Sequence, residues 1–137
     1  INTGSFTDVN QAKETAISII EGGADVISPM ANDASVGIME AGEEKGVMAV
    51  GCGLGQESSA PTATKIIIVK DVAIAIKSTF DAYAKGELNP TEVETYGANK
   101  GVVYATEWFG DVNDEAKTRL QETIDKMAKG EVEISLQ

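Results

Sequence analysis

Few residues in this chain could do covalent chemistry. There is one cysteine, Cys52, and no histidine. A thiol with no imidazole to take its proton is a poor nucleophile, so Cys52 reads as a small packed side chain. The same composition excludes a Cys/His zinc site, a histidine-dependent triad and a disulfide within the chain. Asp8, Asp25 and Asp33 could suggest paired carboxylates. Asp8 is more simply a helix cap, and Asp25 a strand-start residue beside glycine. What remains is binding chemistry. Lys70 closes the run Ile66–Val69 and is either a ligand donor or a solvated strand end. Gly51-Cys52-Gly53-Leu54-Gly55 would let backbone amides approach a pyrophosphate. That reading fits poorly, because Gln56 stands where the next glycine of the fingerprint belongs. Ser58-Ser59-Ala60-Pro61 then follows where a helix should open.

These residues sit at the ends of predicted strands. Gly23–Gly55 holds two short apolar runs, Ala24–Met30 and Val47–Val50, separated by the helix-compatible segment Ala34–Lys45. A helix joining two short buried strands is a βαβ unit, and it forces a parallel sheet. In open parallel sheets, ligands bind at the strand ends that lead into helices. Here those ends are the loops Pro29–Ser35 and Gly51–Gln56, both built of small and polar residues.

The rest of the chain continues the rhythm. Thr7 or Asp8 caps a helix over about Val9–Glu21, which Gly22-Gly23 ends. Strands are expected at about Asp25–Ser28, Val47–Val50 and Lys65–Val69. Asp71 caps a helix over Val72–Lys85. Glu92–Tyr96 and Val102–Thr106 flank Gly97–Gly101 and read as a hairpin. Trp108 and Phe109 follow, either covering a ligand or another lobe or packing in the core. A last helix spans about Glu115–Lys129, and a final strand Val132–Leu136. The expected fold is α/β: a three-layer αβα sandwich with a mainly parallel sheet.

Composition bounds the partners. The chain has 137 residues, enough for one domain with a core. Aromatics are scarce, so that core should be aliphatic. The formal charge of -11 argues against nucleic acid and anionic membrane surfaces. No apolar run approaches the roughly 20 residues needed to cross a bilayer. Ile1-Asn2-Thr3 reads as the tail of a strand, and the chain as a piece of a longer protein.

The order of pieces resembles one family. Gly4-Ser5-Phe6-Thr7-Asp8 precedes a helix, then Glu21-Gly22-Gly23-Ala24-Asp25-Val26-Ile27 and a small-residue loop. An alanine-containing helix ends in Glu43-Glu44-Lys45-Gly46-Val47, before Ala49-Val50-Gly51, Ala60-Pro61 and Ile66-Ile67-Ile68-Val69-Lys70-Asp71-Val72. The close is Lys126–Leu136. This resembles the C-terminal lobe of the BMP/PnrA-like substrate-binding lipoproteins of bacterial ABC transporters, which have the type I periplasmic-binding-protein fold. The resemblance implies a non-enzymatic solute-binding protein, extracytoplasmic and either lipid-anchored or periplasmic. It implies an ABC permease as partner, and a purine nucleoside or base held between two lobes. No cofactor and no metal are implied. On this reading residues 1–137 form a single lobe with the terminal crossover segments, and the N-terminal lobe is missing.

The resemblance carries over residue by residue. The Gly-Ser-Phe turn and Lys70 match. In the loop after the first strand, the family's glycine-rich segment is replaced by Ala31-Asn32-Asp33-Ala34-Ser35. The family's Gly-Val-Asp-x-Asp-Gln matches Gly51–Gln56, so both aspartates are glycines here, Gly53 and Gly55. The first of them usually holds sugar hydroxyls, so its loss favours a free base, or a ligand of another kind, over a riboside. The expected ligand face is Phe6, Met30, Asn32, Asp33, Gly53, Gly55 and Lys70. Two readings stand beside it: a Rossmann-like nucleotide-binding half of an enzyme, and a ligand-sensing lobe of a regulator.

Overall fold

The computed structural model describes residues 1–106 and 108–132. Helix α1 (Val9–Glu21) begins where the Asp8 carboxylate accepts from Gln11 N–H at 2.9 Å, satisfying one of the donors orphaned at a helix start. Strand β1 (Val26–Ile27), helix α2 (Ser35–Lys45) and strand β2 (Met48–Gly51) follow. Gly46 closes α2 with φ +67°, in the left-handed region. Strand β3 (Thr64–Lys70), helix α3 (Val72–Lys85), strand β4 (Val103–Ala105) and helix α4 (Asp114–Ala128) complete the order. Asp71 caps α3 through Ala73 and Ile74, and Asn113 caps α4 through Glu115.

The four strands form one sheet in the order β1-β2-β3-β4. β1 pairs parallel to β2 with Val26 opposite Met48, and β2 pairs parallel to β3 with Gly51 opposite Ile67. The βαβ expectation is therefore met: the fold is mixed α/β with a mostly parallel sheet flanked by helices.

The hairpin is not formed. Glu92–Tyr96 contains no strand. β4 pairs with β3 instead: Thr106 N–H donates to Ile67 and Phe109 N–H to Lys65, while Asp71 N–H donates to Val102. The partner numbers fall as β3 advances, so this pairing is antiparallel. A seven-residue strand with an open edge offers more ladder bonds than Glu92–Tyr96, where Val93 is 97% exposed. Glu94 is drawn into an ion pair with Lys100 rather than into a ladder. Ile1–Thr3 is not in a strand either. The strand expected over Val132–Leu136 lies, except for Val132, outside the described residues.

The chain divides into two compact units. The first comprises Ile1–Ile68 with Ala105–Val112, the second Val69–Tyr104 and the chain from Asn113 on. The core of the first is aliphatic: Ile27, Met39, Ala49, Ala60 and Ala63 pack together, and Ala12, Ala31 and Ala34 form a second cluster. Small residues there let backbones approach. A Cβ at Gly37 would lie 2.0 Å from the Val9 carbonyl oxygen, so α2 crosses α1 nearly backbone to backbone. In the second unit, no residue of α3 or α4 is fully buried.

Candidate functional site

The site is assembled in the first unit from three loops. The first leads into α1. Gly4 turns at φ +77°, and Ser5 Oγ accepts from Thr7 N–H (3.1 Å) and Asp8 N–H (3.0 Å). This holds the backbone while leaving the Phe6 ring 69% exposed.

The second loop follows β1. Pro29 is buried and Met30 is 69% exposed. Asn32–Ala34 makes one 3-10 turn, with Asn32 at φ +50°. Asparagine tolerates that left-handed conformation better than most residues. The loop is pinned from within by Ala31 N–H donating to the buried Ser35 Oγ at 3.1 Å. It is pinned to the first loop by Ala34 N–H, which donates to the Phe6 carbonyl at 3.0 Å. Asn32 and Asp33 are both exposed. Phe6 and Met30 line one cavity of about 520 Å³, with Thr3, Ser28 and Ala31. It continues along α1 and the outer edge of β1 past Thr15, Ile19 and Val26.

The third loop follows β2. Ser28 Oγ and Cys52 Sγ are 3.4 Å apart, which sets this loop beside the one after β1. Cys52 is half-buried rather than packed in the core. Gln56 folds back so that its Oε1 accepts from Cys52 N–H at 2.7 Å. Gly55 takes φ +90° and leaves Leu54 exposed at the crest. Farther on, the Glu43 carboxylate accepts from Thr62 N–H (3.0 Å), Thr62 Oγ1 (2.5 Å) and Ala63 N–H (2.8 Å), tying the loop's far end to α2. The Thr62 hydroxyl first, then the Ala63 amide, hold the Glu43 carboxyl below its ordinary value.

Six of the seven expected residues thus lie on three loops linked by hydrogen bonds or close contact. The seventh, Lys70, is the exposed last residue of β3 and belongs to the second unit. Sequence reasoning passed over Ser28, Gln56 and Glu43. Gln56 could have been found, because it completes the Gly51–Gln56 match. Glu43 could not, since its partners are about twenty residues away.

No group of acidic, cysteine or histidine side chains among the described residues could hold a metal ion. The dinucleotide reading is set aside, because Gly55 is followed by a 3-10 turn at Gln56–Ser59 and then β3. What the three loops offer is hydrogen bonding and apolar contact, and two of them lie at the carboxyl ends of the parallel strands β1 and β2.

Solved structures share this fold. An ABC transporter solute-binding protein from Aeropyrum pernix K1 superposes with a TM-score of 0.76 at 17% identity, over 97% of this chain and 46% of its own. One from Conexibacter woesei DSM 14684 gives 0.71 at 18%, over 97% and 44%. A transcriptional activator of the comK gene from Bacillus halodurans gives 0.79 at 22%, over 91% and 44%. The chain thus spans less than half the length of the structures it matches. No curated protein matches the sequence significantly. The architecture is that of the periplasmic-binding-type proteins. Within that class, the chain belongs to the Bmp family, described as ABC transporter substrate-binding protein PnrA-like, whose model matches residues 2–136.

Proposed function

We propose that this chain supplies one ligand-binding surface of the solute-binding component of an ABC importer. The ligand is a purine base or nucleoside, held between this surface and a second lobe, and handed to a permease outside the cytoplasm. The component binds and releases without transforming its ligand. Family membership supports the transport role. The observation that carries the ligand class is the pair Phe6 and Met30: both are 69% exposed, and both line one cavity beside polar loop residues. Two largely exposed apolar side chains on tied loops suit a flat heterocycle. Asn32 and Asp33 supply the hydrogen bonds that fix its orientation. Gly53 and Gly55 admit the ligand close to backbone. With no carboxylate at position 53 to hold sugar hydroxyls, a free base is favoured over its riboside.

The test is a thermal-shift and calorimetric screen of the intact protein with adenine, guanine, hypoxanthine and their ribosides. A rise in Tm with bases, larger than with ribosides, is the expected result. No shift with any purine, against a clear shift with a sugar or amino acid, would reject the ligand class and leave the transport role standing.

A further inference from the structure

The side-chain amide of Gln56 is divided between two places. Its Oε1 accepts from Cys52 N–H at 2.7 Å and lies 3.2 Å from where a Cβ on Gly51 would sit. Its Nε2 is on the other side, 3.8 Å from where a Cβ on Gly53 would sit. Gln56 supplies the only non-neighbouring atoms within 4 Å of that position. Among the described residues no hydrogen bond engages Nε2, and Gln56 is only half-buried. A glutamine normally offers either end of its amide to a ligand. Here a flip would turn an NH2 group against the Cys52 N–H and leave two donors face to face. The loop therefore fixes which end is outward.

We infer that Gln56 Nε2 is a specificity-determining donor of the candidate site, presented through the gap at Gly53 to an acceptor atom of the ligand. Within the purine reading on which this rests, it selects bases with a 6-oxo group over those with a 6-amino group. A carbonyl oxygen accepts from the fixed N–H, whereas an exocyclic amine meets it donor to donor. Glycine at 53 is what makes the donor reachable.

Calorimetric titration of the intact protein with hypoxanthine and adenine tests this, for the wild type and for Gln56→Glu. Glutamate keeps an oxygen for Cys52 N–H and replaces the outward donor with an acceptor. The wild type should favour hypoxanthine. Gln56→Glu, at an unchanged Tm, should lose about tenfold in hypoxanthine affinity and reverse the preference. Gln56→Met, which removes both amide atoms, should lose discrimination between the two bases. Hypoxanthine and adenine binding left in the wild-type ratio in both variants would overturn the inference and leave the purine reading intact. Failure of the wild type to bind either base would overturn the inference, and failure with every purine base and riboside would overturn the purine reading as well.

Discussion

Ala34 donates its backbone N–H to the carbonyl oxygen of Phe6, 3.0 Å away, which ties the turn before α1 to the turn before α2. The Phe6 ring takes no part in that bond. It is positioned by backbone geometry and left in water.

Phe6→Ala should therefore leave stability nearly unchanged, within about 0.5 kcal/mol, as for other exposed substitutions. The same change should weaken purine binding about 3- to 10-fold, the worth of one aromatic contact. Denaturant unfolding and calorimetry on the same preparation separate the two. A large fall in Tm would show that the ring packs in the folded protein.

Gly37 and Gly46 predict different costs for the same substitution. A Cβ at Gly37 would meet the Val9 carbonyl oxygen at 2.0 Å; that oxygen is backbone and a Cβ is fixed by its own backbone, so neither can swing aside. Gly37→Ala should cost at least the ~1–3 kcal/mol typical of overpacking, by forcing α1 and α2 apart. At Gly46 nothing lies within 4 Å, but φ is +67°. Gly46→Ala should cost about 1–2 kcal/mol from backbone strain alone. Urea denaturation of each variant beside the wild type checks both, and a Gly37→Ala midpoint equal to the wild type's would refute the close crossing.

Much of this architecture was legible because it is local. Asp8 and Asp71 announce two helix starts, and α1 and α3 run over the stretches expected of them. The parallel order of β1, β2 and β3 followed from the intervening helix and loop. What failed was pairing at a distance. Val102–Thr106 was assigned to the nearest strand-like segment, Glu92–Tyr96, although hydrogen bonds to Ile67 and Lys65 lay some forty residues away. No local signal records an open edge on β3. In the candidate site, the small-residue loops were visible, but the contacts that join them, Ser28 to Cys52 and Ala34 to Phe6, depend on the folded register.

Glu43 predicts a pH dependence. Its folded carboxyl is held below the ordinary glutamate value, chiefly by the Thr62 hydroxyl and then by the Ala63 amide. The ionised form is thus the better-bound form. Its stabilising contribution is full above the unfolded-state value, and is lost as the pH falls through the lower folded value. Glu43→Gln should be less stable than the wild type at neutral pH, and the gap in Tm should close as the solution is made acidic. A gap that widens in acid would mean the carboxylate is not the anchor of this loop.

At Asn32 the backbone and the side chain have separable roles. Its φ of +50° is a conformation that alanine resists and glycine accepts freely. Asn32→Ala should cost about 1–2 kcal/mol in stability whatever the side chain does for a ligand. Asn32→Gly should remove the amide and leave the turn in place, keeping the Ala34 bond to the Phe6 carbonyl. If the amide orients the ligand, Asn32→Gly loses affinity at nearly unchanged Tm. Asn32→Ala loses both, and Asp33→Ala alone loses affinity only. An Asn32→Gly protein that binds purines as the wild type does would take Asn32 out of the binding surface and reduce its role to the shape of the loop.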